Sequence, residues 1–254
     1  SNDIGLAFNN PALLRSSMHG QVHAAFSTLY AGIRNYHAMG GYRHENWKTN
    51  FGLGIQFFNY GKIAETDASG NIFGDFRPMD YVVQLSASRS YNEKWTYGVS
   101  LKFIHSQYGQ YRSSGIALDA GITYIDTSNF LQAALILKNM GAQIKTYNGS
   151  LADDLPFDVQ LGVSKRLVNA PIQFSLTAHH LHQFDISYND SVFNNENAFN
   201  GNAGGTFDKI FRHIVFATQV YLADKVEITA AYNHLRRREL NIGGTGNGLN
   251  GFSM

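Results

Sequence analysis

Along most of this chain apolar and polar residues alternate one by one, the period a β-strand takes when its two faces meet unlike surroundings. In KWTYGVSLKF, Trp95, Tyr97, Val99, Leu101 and Phe103 fall on one face and Thr96, Gly98, Ser100 and Lys102 on the other. Phe157, Val159, Leu161 and Val163 alternate in the same way with Asp158, Gln160, Gly162 and Ser164. The pattern predicts strands over approximately 20–30, 34–44, 50–62, 79–90, 95–106, 114–126, 130–139, 156–166, 171–184, 209–222, 225–236 and from 248 onward. Segments of this length exceed the usual soluble strand of about 5–6 residues and match the roughly 9–11 that cross a bilayer when tilted.

The connections sharpen the expectation. Short links are predicted at 45–49, 91–94, 126–129, 167–170 and 222–225, carrying the turn formers Asn92, Asp126, Asn129, Asn169 and Asp224. Longer polar stretches are predicted at 64–79, 107–115, 140–155, 187–208 and 236–248, in strict alternation with the short ones. Tight turns at one end and long loops at the other are the asymmetry of an outer-membrane β-barrel. A soluble β-sandwich would gather its long loops at one end only by chance. The start, Asn9 to Leu14, lacks alternation and is expected to be a short irregular or helical piece at the barrel's periplasmic end or in its lumen.

Composition fits the same picture. Charged residues are 15% of the chain, against roughly 25% in an ordinary soluble domain. Mean hydropathy is −0.23, and no apolar run reaches the roughly 18 residues of a membrane helix, which excludes a helical membrane protein. A barrel whose strands face lipid on one side and a polar interior on the other keeps its mean hydropathy near that of a soluble protein. The net charge of +1, with Arg236, Arg237 and Arg238 the only basic block, argues against a nucleic-acid partner. The chain has no cysteine, so disulfides and thiolate metal sites are ruled out. It opens at Ser1 with no secretory leader, as expected of a mature or trimmed chain.

Chemical constellations are few. His180 and His182 share a face of an extended strand beside His179, yet spacing fixes no third ligand, and an interfacial polar girdle is the better reading; no metal and no cofactor is expected. Gly246, Gly248 and Gly251 satisfy G-x-G-x-x-G without the strand and helix that give the motif meaning. The G-x-S-x-G, S-x-x-K and K-T-G motifs of acyl transfer are missing. Asp153 and Asp154 point to opposite sides of an extended chain, which suits a solvated loop rather than an acid/base pair. The expectation is therefore a protein that is not an enzyme. Arg236, Arg237 and Arg238 form either a solvated strand end or a contact to lipopolysaccharide phosphates. Tyr91, Trp95, Tyr97, Tyr124, Tyr221 and Tyr232 lie near predicted strand ends, where amphipathic rings favour the headgroup region.

The runs DIGLAFNNPALL (3–14), FGLGIQFFNYGK (51–62), GIALDAGITY (115–124) and LPFDVQLGVSKRL (155–167), with LRRREL before a GFS at Gly251, resemble the PorQ family of the type IX secretion system of Bacteroidetes. The resemblance covers nearly the whole chain. It implies a FadL-like outer-membrane β-barrel of 14 strands with an N-terminal plug, to which Asn10, Pro11 and Ala12 correspond. About twelve strands are visible, so residues 1–254 are expected to form a single barrel domain cut at both ends: two strands would follow Met254, and the family's Gly-rich opening is absent. The resemblance further implies a surface complex in which the barrel anchors a PorZ-like protein alongside PorU and PorV, with PorU carrying the chemistry that joins cargo to lipopolysaccharide.

Three classes of function stay open. A surface scaffold needs exposed loops, and Phe73, Tyr147, Tyr188 and Phe193 are its candidate partner anchors. A FadL-like transporter of hydrophobic small molecules needs an apolar pocket, against which Gln84, Ser86, Thr96 and Ser100 speak. A soluble enzyme needs a constellation that the sequence lacks. For either barrel reading Trp95, Tyr97, Val99, Leu101 and Phe103 are expected to face outer-membrane lipid, while a one-residue slip in register would reverse that face.

Overall fold

Alternation becomes antiparallel strands in a computed structural model, which describes residues 3–147, 151–186, 205–222, 226–239 and 250–253. In chain order the strands are β1 (Val22–Thr28), β2 (Arg34–His44), β3 (Thr49–Asn59), β4 (Ile63–Thr66), β5 (Ile72–Phe76), β6 (Met79–Ser90), β7 (Trp95–Tyr108), β8 (Tyr111–Asp126), β9 (Leu131–Lys145), β10 (Asp158–Arg166), β11 (Ile172–Ala178), β12 (Ile214–Leu222), β13 (Val226–Asn233) and β14 (Phe252–Ser253). Twelve of them form one sheet in the order β1-β2-β3-β6-β7-β8-β9-β10-β11-β12-β13-β14, while β4 and β5 pair as a separate hairpin. The fold is all-β, and the sheet's strand order is linear, with β1 and β14 at its ends rather than paired with each other. No described helix is long and apolar enough to cross a membrane.

The chain divides into two compact units, Ser1–Thr123 with Ile136–Phe157, and Tyr124–Leu135 with Asp158–Met254. In the first unit, the β6/β7 register sets Leu85 opposite Leu101 and Ala87 opposite Val99, and on the other face Gln84 opposite Lys102 and Ser86 opposite Ser100. Like therefore meets like across the ladder, which is the arrangement that stabilises cross-strand pairs. The N-terminal segment folds as three successive 3-10 turns, Ile4–Phe8, Pro11–Leu13 and Ser16–Met18. Asp3 caps the first by accepting from the Gly5 N–H at 2.8 Å, and Asn10 caps the second by accepting from the Ala12 N–H at 3.0 Å, with Pro11 pre-set at its first position. Ile4, Ala7, Leu14 and Met18 of these turns close with Met39 of β2 into a buried apolar cluster, with Phe8 at its edge.

In the second unit, β10 through β14 pair as an antiparallel meander. Two short helices flank its β12/β13 hairpin, α1 (Thr206–Arg212) before β12 and α2 (His234–Glu239) after β13.

Several sequence expectations are corrected. The long connection expected over 107–115 is a tight turn at Gly109 and Gln110, because β7 and β8 run on toward each other and Gly109 takes the positive φ of 60° that the reversal needs. Short and long connections therefore do not alternate strictly. The polar stretch 64–79 holds the β4/β5 hairpin, turned by Asp67, whose carboxylate accepts the Ser69 and Asn71 N–H groups at 2.9 Å. Residues 209–212 are helical rather than extended, since Phe207, Ile210 and Phe211 recur at the 3.6-residue period. The helix-favouring run LRRRE likewise takes 234–236 out of the expected strand. β11 stops at Ala178, short of the expected 184, and His180 follows with φ 54°.

Candidate functional site

The first unit presents two contrasting surfaces. On β7, Trp95, Tyr97, Val99, Leu101 and Phe103 are 37–52% exposed, whereas Ser100 and Lys102 between them are buried. The contrast extends along the neighbours: Leu53, Ile55, Val83, Leu85, Ile116, Leu118 and Ile122 are exposed, while Asn50, Gln84, Ser86, Ser88, Asp119 and Thr123 are buried. The polar face is thus the covered one.

What covers much of it is the N-terminal segment, held by hydrogen bonds from the wall to its carbonyls. Gln84 Nε2 donates to Phe8 O at 3.2 Å, Thr123 Oγ1 to Ala12 O at 3.2 Å, and Ser88 Oγ and Asn50 Nδ2 to Leu14 O at 2.5 and 3.4 Å. Asn10, Pro11 and Ala12 are all buried here. Their approach requires glycine: a Cβ on Gly98 would stand 2.5 Å from the carbonyl carbon of Pro11, and one on Gly121 would collide with Asn10 Oδ1.

The same polar face holds a buried ion pair. Lys102 Nζ is 2.5 Å from Asp119 Oδ2 and donates to Asn139 Oδ1 at 3.1 Å. The Asn139 N–H donates in turn to Asp119 Oδ1 at 2.8 Å, a contact made by turning Asn139 to φ 56° within β9. A paired and hydrogen-bonded charge is the form in which Lys and Asp persist when buried.

At the end of the unit bearing the β4/β5 hairpin, Phe73 is 71% exposed on β5. Tyr147 is half-buried, its ring edge-on to Tyr108 at 6.3 Å, and Tyr108 lies 5.9 Å from Tyr60. Tyr60 donates to Asp80 Oδ2 at 2.5 Å, and burial together with this carboxylate pushes its phenol well above the usual tyrosine range. Tyr188 and Phe193, the other candidate anchors, lie outside the described residues, as do Gly246 and Gly248. Asp153 and Asp154 are exposed, in keeping with a solvated loop.

In the second unit, sequence reasoning missed Asp208. This carboxylate accepts from Arg212 Nε at 2.9 Å, from His234 Nε2 at 2.8 Å and from Arg238 Nε at 3.0 Å, so it joins α1 to α2. Burial alone would raise its pKa, but the hydrogen bonds from His234, Arg238 and Arg212 outweigh burial and hold it well below the usual carboxylate range. The available signal was Asp208 and Arg212 at i, i+4 within a helical period. Of the three consecutive arginines, Arg238 is engaged in this cluster, while the Arg236 N–H caps onto Asn233 Oδ1 at 3.1 Å.

The histidines also gather in this unit. His179 Nδ1 and His180 Nδ1 lie 2.6 Å apart, sharing one hydrogen bond, and the His182 ring lies 6.0 Å from that of His180. Among the described residues no group of three His, Asp or Glu side chains has the geometry to hold a metal ion. No protein-family model matches the chain, and no curated protein matches it.

Proposed function

We propose that this chain is an outer-membrane β-barrel protein that does no chemistry of its own and anchors a surface subunit. The observation that carries the membrane part is the inverted burial of β7 and its neighbours, where apolar side chains are exposed and Gln84, Ser86, Ser100 and Asp119 are covered. In water such a face would be a run of exposed apolar side chains on neighbouring strands, the kind of patch that marks a contact with lipid or protein. In a bilayer the same face is solvated by lipid, and the polar face becomes a barrel interior.

The scaffold part rests on two supports. The resemblance to the PorQ family implies a PorZ-like surface partner, with PorU and PorV nearby and lipopolysaccharide as the attachment product's lipid. The polarity of the covered face favours a scaffold over a FadL-like transporter, which needs an apolar pocket where Gln84, Ser86, Ser88, Ser100 and Thr123 instead stand. Phe73 and Tyr147, with Tyr188 and Phe193, remain the proposed partner anchors.

Membrane fractionation with a heat-modifiability gel tests the barrel: sedimentation with outer membranes and a shift in migration on boiling are expected, and a freely soluble monomer overturns it. Replacing residues 188–206 with a short Gly/Ser turn tests the scaffold. The barrel should stay inserted while the surface subunit is released. The expected loop 140–155 begins only after Lys145, since β9 runs that far; full retention of that subunit after the connections at 64–78 and 146–155 were shortened as well would put the transporter reading first.

A further inference from the structure

His213 lies buried between the end of α1 and the start of β12. Its Nδ1 is 2.8 Å from the carbonyl oxygen of His179 and its Nε2 is 3.1 Å from that of Phe184. A carbonyl oxygen can only accept, so each contact is a hydrogen bond only when the ring nitrogen carries a proton. Neutral imidazole carries one such proton and imidazolium carries two. In the neutral ring, therefore, one contact sets a nitrogen lone pair against a carbonyl lone pair, and a buried acceptor loses its donor. Both carbonyls belong to the stretch 179–186 that leaves β11, and the backbone completes the junction, with the His179 N–H donating to His213 O at 2.9 Å.

We propose that His213 is a proton-operated latch: uptake of its second proton ties the carbonyls of both His179 and Phe184 to the start of β12 and fixes the stretch 179–186, and loss of that proton releases one of the two ties. The surrounding charges are these. From the 179–186 stretch come His179, His180, His182 and Asp185; from α1 come Asp208, Lys209 and Arg212; from β10 comes Asp158. Lys209 is paired with Asp185 at 2.5 Å and Arg212 with Asp208 at 2.8 Å, so neither cation stands uncompensated near the ring. Asp158 accepts the His180 N–H at 2.6 Å and anchors the stretch independently of the latch. Burial first and His180 second lower the proton affinity of His179. The direction follows from donor count: the doubly protonated ring ties both carbonyls and the singly protonated ring ties one, so acid strengthens the junction and base weakens it. The latch sits at the root of the connection that carries Tyr188 and Phe193, and it operates whether or not the membrane reading holds.

The test is amide hydrogen exchange of the purified full chain in detergent at pH 5.5 and pH 8, corrected for the intrinsic pH dependence of exchange. The amides to follow are those of Leu181 and Gln183, which donate to Val159 O and His180 O within this junction. About tenfold more protection is expected at the lower pH, the scale of one hydrogen bond to a charged group. His213→Gln, which keeps only one donor end, should abolish the pH dependence, while His179→Gln and His180→Gln should keep it. If His213→Gln does not fold, the side-chain nitrogen resonances of His213 in the unaltered chain decide: both nitrogens protonated at pH 5.5 supports the latch. Protection independent of pH, or a single neutral tautomer persisting at pH 5.5, overturns it.

Discussion

The two units bury different things. In the first, Ile4, Ala7, Ala12, Leu14, Met18, Met39, Ala117 and Ile136 are buried hydrophobics, five of them from the N-terminal turns. In the second, the buried side chains among the described residues are polar or charged, namely Asp126, Asp158, Arg212 and His213. The difference teaches how polar side chains buried on a sheet are accommodated. One solution brings in a separate segment whose apolar side chains pack together while its carbonyls satisfy the wall. The other relies on the strand ladder and on charge clusters at strand ends, Asp208 in α1 being the clearest.

Removing the segment should break the contrast most severely. Deletion of residues 3–18 strips Ile4, Leu14 and Met18 from the core, each worth roughly 1.5–3 kcal/mol when fully buried, and leaves the Gln84, Ser88 and Thr123 donors without their carbonyls. Denaturant unfolding should show a loss on the order of 5 kcal/mol or more, with the near-ultraviolet signal of the first unit's tyrosines and tryptophans lost first. An unchanged midpoint would mean that the wall needs no cover.

A smaller effect is expected at the buried ion pair. Asp119→Ala leaves Lys102 charged and unpaired and removes the acceptor that holds Asn139 at positive φ. The expected cost is about 3–5 kcal/mol, whereas the double variant Lys102→Met/Asp119→Leu should recover much of it. Equal costs for the single and double variants would show that shape, not the stranded charge, matters there.

The mildest change belongs to the second unit. Asp208→Asn should cost about 1–2 kcal/mol near neutral pH, through weaker hydrogen bonds to Arg212, His234 and Arg238. Because the folded pKa of Asp208 is depressed, its contribution is fully present above the unfolded value of about 3.9 and is lost as pH falls below it. The unaltered chain should therefore lose stability relative to the variant only below about pH 4. A difference between them that grows above pH 5 would contradict the assignment.

How much of this was legible in the sequence depends on the kind of signal. β2 and β6 fall where alternation and flanking turn residues place them, at 34–44 and 79–90, because period two and turn chemistry are both local. The two faces of β7 were legible for the same reason. α1 and α2 were hidden because TFDKIFR and HLRRRE are short, and a period-two reading absorbs them into the adjoining strands. Asn139 and His180 take positive φ on account of tertiary partners, Asp119 and Asp158 among them, and nothing adjacent in sequence announces that. The N-terminal contacts were not derivable from pattern at all. Ser88 and Leu14 are 74 positions apart and Thr123 and Ala12 are 111 apart, so broken alternation could set Asn9 to Leu14 apart and the family resemblance could single out Asn10, Pro11 and Ala12, but neither could name their partners.

The central claim is that the exposed apolar face of β7 is solvated by lipid and the opposite face is not. Nitroxide labels at Val99 and Leu101, compared with one at Thr96 on the other face, test it in the reconstituted full chain. At Val99 and Leu101 collisions with dissolved oxygen should be frequent and collisions with a water-soluble nickel chelate rare, while the Thr96 label should show low oxygen accessibility. Nickel collisions at Val99 and Leu101 as frequent as on a water-exposed loop, or a reversal in which Thr96 carries the high oxygen accessibility, would contradict the account.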